Sequence, residues 1–90
     1  MITTITKRDG RVVPFEQDKI EQAIEKAFMA SGSRKSTDTA KELAQLVVDT
    51  IERDESVETS PSVEQVQDTV EKVLIEKGFV RSAKAYILYR

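Results

Sequence analysis

Residues 2–20 read Ile2-Thr3-Thr4-Ile5-Thr6-Lys7-Arg8-Asp9-Gly10-Arg11-Val12-Val13-Pro14-Phe15-Glu16-Gln17-Asp18-Lys19-Ile20. The first part, to residue 15, predicts a β-hairpin. Ile2, Ile5, Val12, Val13 and the threonines between them favour extended backbone, because branched side chains fit a pleated surface. Asp9-Gly10 supplies a turn signal, expected to adopt the positive φ angles of a tight primed turn. Pro14 has no amide to give a ladder and ends the second strand. A lone hairpin is marginal in water, so this one is expected to lie as a cap on something larger.

What it caps follows along the chain. From Glu16 to Ala30, Ile20, Ala23, Ile24, Ala27 and Phe28 recur at helical spacing, with Glu16 and Asp18 near the positive end of the helix dipole and Gly32 just past its close. A second helix is predicted from Asp38 to Arg53, with the stripe Ala40, Leu43, Ala44, Val47, Val48 and Ile51. Val57-Glu58-Thr59 has the makings of a short third strand. Ser62 and Gln65 have capping-box spacing, so a third helix is expected over about 62–77, with Val63, Val66, Val70, Val73 and Leu74 inward and Lys77-Gly78 as its stop. The rest, Val80 to Arg90, reads as a fourth helix with Val80, Ala83, Ile87 and Leu88 on one side and Tyr86 and Tyr89 off that stripe, Tyr86 packing against another helix. The expected fold class is α+β: a single domain over 1–90, a four-helix cluster capped by a small N-terminal β-hairpin or three-stranded sheet.

Composition narrows the chemistry. Ninety residues with 39% apolar and 33% charged content suit one soluble domain with one modest core. There is no Cys and no His. A thiol nucleophile and a histidine base are therefore impossible, and the usual zinc ligands are missing. The absence of Cys, of any membrane-length apolar run and of a charged-then-apolar leader makes a cytoplasmic setting the expectation. Gly10, Gly32 and Gly78 are scattered, so no Walker-type phosphate loop exists. Net charge is −2 but uneven: residues 1–14 sum to +2, residues 77–90 to +4, and the middle to −8. Basic ends around an acidic middle suit a local anion site better than a nucleic-acid surface, which is more often basic overall.

Within Lys7–Ile20 that anion site takes shape. A strand places Lys7 and Arg8 on opposite faces, and Lys19 enters on the first turns of the following helix, near the hairpin's return. Cations converging with the amides of a helix start are what polyphosphate requires.

Ile5-Thr6-Lys7-Arg8-Asp9-Gly10, then Pro14-Phe15 and Asp18-Lys19-Ile20, resembles the opening motif of the ATP-cone family found at the N-terminus of many ribonucleotide reductases. Val63-Glu64-Gln65-Val66-Gln67-Asp68 and Arg81-Ser82-Ala83-Lys84-Ala85-Tyr86-Ile87-Leu88-Tyr89-Arg90 are similar to the third helix and the close of cones in anaerobic and cobalamin-dependent reductases. The resemblance spans the whole chain and implies four helices under a short β cap, with ATP or dATP held beneath the hairpin and Mg2+ carried by the phosphates. It implies Lys7, Arg8 and Lys19 on the phosphates, and Ile5, Val13 and Phe15 beside the base. Glu16, where the family often has Asp or Asn, would touch ribose or base. Arg90 would stand for a further basic residue on the phosphates. Ile5 and Phe15 also read as plain core residues, and Arg81 and Lys84 equally as phosphate contacts or exposed surface. The implied role is allosteric, not catalytic: sensing ATP against dATP and controlling the activity or oligomeric state of a reductase catalytic domain or subunit, with a homo-oligomer as a further possibility and neither nucleic acid nor membrane as a partner. Two alternatives stay open, the cone of a nucleotide-dependent repressor of reductase genes and a helical interaction module that binds no nucleotide.

Overall fold

The computed structural model describes residues 2–33, 37–54 and 60–90. Strands β1 (Thr4–Thr6) and β2 (Val12–Pro14) form the hairpin, and helices α1 (Gln17–Ala30), α2 (Thr37–Arg53), α3 (Val63–Glu76) and α4 (Val80–Tyr89) follow. This is the expected α+β arrangement. The strands pair antiparallel with Thr4 opposite Pro14, Ile5 opposite Val13 and Thr6 opposite Val12.

The turn differs from the primed two-residue form. Lys7 N–H donates to the Arg11 carbonyl at 2.7 Å and Gly10 N–H to the Lys7 carbonyl at 2.9 Å. Among the described residues only glycines have positive φ, and in this turn that is Gly10 at +88°. The loop is thus a three-residue connection, Arg8-Asp9-Gly10, in which the last residue alone takes the left-handed region. Asp9 does not adopt positive φ; its carboxylate instead accepts from the Arg11 amide at 3.1 Å, which closes the turn by side-chain chemistry.

β1 is paired on its other side as well. Thr6 N–H donates to the Pro61 carbonyl at 2.9 Å, its hydroxyl lies 3.0 Å from that of Ser60, and Thr6 forms a parallel bridge with Ser62. The expected third strand at Val57–Thr59 lies outside the described residues. Ser62 caps α3 as predicted: its hydroxyl accepts from the Gln65 amide at 3.1 Å while Gln65 Oε1 accepts from the Ser62 amide at 2.8 Å. The bridge residue and the cap residue are the same, so the hairpin is tied directly to the start of α3.

The helices form a ring. α1 packs on α2 and α4, and α3 packs on the same two, which leaves α1 and α3 at opposite corners. Inside sit Ile20, Ile24, Ala27 and Phe28 of α1, most of the α2 stripe, and Val66, Val70, Val73 and Leu74 of α3. α3 ends in a Schellman motif, with Phe79 N–H donating to Leu74 at 2.8 Å and Gly78 N–H to Ile75 at 3.0 Å. Gly78 stands at φ +88° with open space where a Cβ would be. Gly78→Ala would therefore cost backbone strain alone, about 1–2 kcal/mol. The motif delivers Phe79 inward, where its ring packs on Phe28 at 5.3 Å between centroids.

The face α4 buries keeps Ala83 of the predicted stripe and the expected packing of Tyr86, but not Val80, Ile87 or Leu88. Ser82, Ala83 and Tyr86 are buried, whereas Val80, Ile87 and Leu88 are 48%, 44% and 87% exposed. The inward positions follow Phe79 at intervals of three and four, and they include a serine. Ser82 Oγ lies 3.0 Å from Ser31 Oγ, so the buried hydroxyl is satisfied and the apolar pattern misread the phase.

Candidate functional site

The hairpin backbone is joined to the start of α3 through Thr6 and Ser62, and Ile2, Ile5 and Phe15 pack against the core. Between the hairpin and α1, α3 and α4 lies a cavity of about 460 Å³. That falls in the usual range for small-molecule sites. Strand period accounts for its roof: Ile5 and Lys7 on β1 and its extension, and Arg11, Val13 and Phe15 on the return, all line the cavity. Its floor is apolar, with Ile20 and Ala23 of α1, Val63, Val66 and Val70 of α3, and the Tyr86 ring of α4.

Charges gather at the mouth. Lys7, Arg11, Glu16 and Lys19 all line it. Lys7 forms no ion pair among the described residues. Arg11 Nε lies 2.7 Å from Asp9 Oδ2. Lys19 Nζ lies 2.9 Å from Glu16 Oε2. That hydrogen bond, and then the carboxylate's charge, hold the Lys19 ammonium above the ordinary lysine pKa although the group is exposed. Glu16 is the N-cap residue of α1 and makes no side-chain cap, so the mouth also carries the positive end of a 14-residue helix.

Six of the eight residues singled out from sequence, Ile5, Lys7, Val13, Phe15, Glu16 and Lys19, therefore line one cavity. Arg8 and Arg90 do not. Arg8 sits at the hairpin tip with Nε 3.2 Å from Glu64 Oε1. Arg90 reaches α3, where its guanidinium lies 3.0 Å from Asp68 and 3.2 Å from Glu71. Arg81 borders a separate hollow at the junction of α1 and α4, and Lys84 is exposed. Sequence reasoning missed Arg11 and Tyr86. Arg11 was findable, since it stands two residues before Val13 and so on the same strand face. Tyr86 packs against the core as expected, and no local pattern announces that it also lines the cavity.

Among the described residues no three His, Cys, Asp or Glu side chains gather as a metal site, and no helix is long and apolar enough to cross a membrane.

A family model described as the ATP cone domain matches residues 3–90. A vitamin B12-dependent ribonucleoside-diphosphate reductase of Thermoplasma acidophilum is 45% identical, over all of this chain and 12% of its own length. The ribonucleoside-diphosphate reductase subunit alpha of Chlamydia pneumoniae is 38% identical over 97% of this chain and 9% of its own. An anaerobic ribonucleoside-triphosphate reductase of Salmonella typhimurium is 31% identical over all of this chain and 12% of its own length. The chain thus spans a small fraction of the relatives it matches.

Proposed function

The chain belongs to the ATP-cone family, and from that premise we propose that it is an allosteric nucleotide sensor which binds ATP or dATP beneath the hairpin and turns neither over. The observation that carries this reading is the pairing of an apolar floor with a basic mouth in one cavity. A flat aromatic base fills the space over Val63, Val66 and Val70, and a polyphosphate meets Lys7, Arg11 and Lys19 at the rim. Charge-assisted bonds from ammonium and guanidinium groups are the strong contacts here. Arg8 and Arg90 join only by leaving their α3 carboxylates. A divalent cation arrives on the phosphates, as Mg2+ commonly does, since it keeps several waters and needs few protein ligands.

Without thiol or imidazole the chain performs no reduction itself. Its influence on a ribonucleotide reductase, as a cytoplasmic regulatory domain of the same polypeptide or as a partner of its catalytic subunit, runs through contacts that differ between nucleotide states. The route is short: the hairpin is joined to α3 through Thr6 and Ser62, and Tyr86 joins the cavity to α4. Calorimetry with ATP, dATP, GTP, CTP and AMP tests the binding. Micromolar adenine triphosphate binding with weak AMP is expected, and equal affinity for ATP and AMP rejects the phosphate site. Native mass spectrometry of the full-length protein at saturating ATP and dATP tests the assembly role, for which distinct oligomer distributions are expected.

A further inference from the structure

We infer that Asp9 is a positioning residue that holds Arg11 as a two-pronged phosphate clamp at the mouth of the cavity; this rests on the nucleotide reading above. Arg11 is held at three points. Its amide donates to Asp9 Oδ1 at 3.1 Å, its carbonyl accepts from Lys7 at 2.7 Å, and its Nε donates to Asp9 Oδ2 at 2.7 Å. Both Nη groups are left without a hydrogen bond among the described residues. They are the two ends of the planar fork that suits a phosphate's paired oxygens.

The pair is poorly placed to stabilise the fold. The side chains of Arg11 and Asp9 are 68% and 56% exposed, and pairs so wetted contribute little. Its consequence is where the guanidinium stands. An arginine left free on a hairpin tip samples many rotamers, and binding must then restrict them. Here one carboxylate takes both the backbone amide and Nε, which favours one orientation of the side-chain stem and its plane before any ligand arrives. The other cations at the mouth are ammonium groups, which carry charge without a fork. Arg11 is therefore the cation at the mouth that can bond two oxygens of one phosphate at once, where each ammonium supplies charge alone.

This role is opposed by simple electrostatics, which gives the test its sign. A carboxylate beside a polyphosphate repels it, so removing the charge at residue 9 should tighten binding if Asp9 only competes for Arg11. If Asp9 positions Arg11, Asp9→Asn should weaken binding instead. Asparagine keeps the oxygen that accepts from the Arg11 amide, so the turn survives.

The experiment is calorimetry of the 90-residue chain and of Arg11→Ala, Arg11→Lys, Asp9→Asn and the Asp9→Asn/Arg11→Ala double variant, each with ATP and with AMP. Arg11→Ala is expected to weaken ATP binding about tenfold and AMP binding much less, with Arg11→Lys recovering only part of the loss. Asp9→Asn is expected to weaken ATP binding about threefold in the parent chain, and to leave it unchanged or tighter in the Arg11→Ala background. Tighter ATP binding by Asp9→Asn alone overturns the positioning role. An Arg11→Ala variant that binds ATP like a parent chain that does bind it overturns the clamp and leaves the nucleotide site standing. A parent chain that binds no ATP removes both.

Discussion

The Lys19 ammonium and the Glu16 carboxylate face each other across 2.9 Å at the mouth of the cavity, one helical turn apart. The hydrogen bond from Lys19, with the charge of Glu16 behind it, raises the lysine pKa above its ordinary value. A group whose folded pKa is raised stabilises the folded state below its unfolded pKa and loses that contribution as pH climbs through the folded value. On the lysine side the pair is therefore intact at neutral pH and is lost as pH climbs through that raised value. An NMR titration of the Lys19 side chain is expected to give a higher midpoint in the parent chain than in Glu16→Gln. Equal midpoints would mean the two groups are not paired in solution.

The same pair sets the expected response to ligand. Lys7→Ala and Lys19→Ala should each weaken ATP binding about tenfold or more while leaving the helical circular dichroism and melting curve close to the parent's. Both side chains belong to exposed residues, so neither substitution opens the core. Normal ATP affinity in either variant would remove that residue from the site.

Burial gives a contrast between α3 and α4 that calorimetric unfolding can read. Leu74 is fully buried among the ring helices, and Leu74→Ala is expected to cost about 2–5 kcal/mol. Leu88 is 87% exposed, and Leu88→Ala should change stability by no more than about 0.5 kcal/mol. A cost for Leu88→Ala as large as that for Leu74→Ala would restore the phase read from sequence, with Leu88 inward.

α2 was fully legible because its six apolar positions repeat at helical spacing without interruption, and all six are buried. The Ser62–Gln65 cap was legible because it is a local motif, complete within four residues. α4 was not, because its inward face mixes Phe79, Ser82, Ala83 and Tyr86, and the partner that makes Ser82 tolerable is Ser31, 51 residues away. The site divides in the same manner. Hairpin residues were placed by strand period, whereas the partners of Arg8 and Arg90 lie on α3, and no local pattern announces them.

Those two arginines should separate under mutation. Arg90 has a side chain only 20% exposed and meets two carboxylates, Asp68 and Glu71, so it fastens α4 to α3. Arg90→Ala is expected to lose about 1 kcal/mol, which for a domain of this size lowers the melting temperature by roughly 4–8 °C. Arg8 is 66% exposed opposite a Glu64 that is 59% exposed, and Arg8→Ala should leave the melting temperature within about 2 °C. Its effect belongs to the ligand instead. Arg8 adjoins Lys7 at the hairpin tip and pairs with Glu64, so Glu64→Gln both releases a cation and removes a nearby negative charge. ATP affinity in Glu64→Gln should rise about threefold at low salt, and the gain should shrink as ionic strength is raised. An affinity unchanged in Glu64→Gln and in Arg8→Ala would place Arg8 outside the nucleotide site and leave its pairing with α3 as its whole contribution.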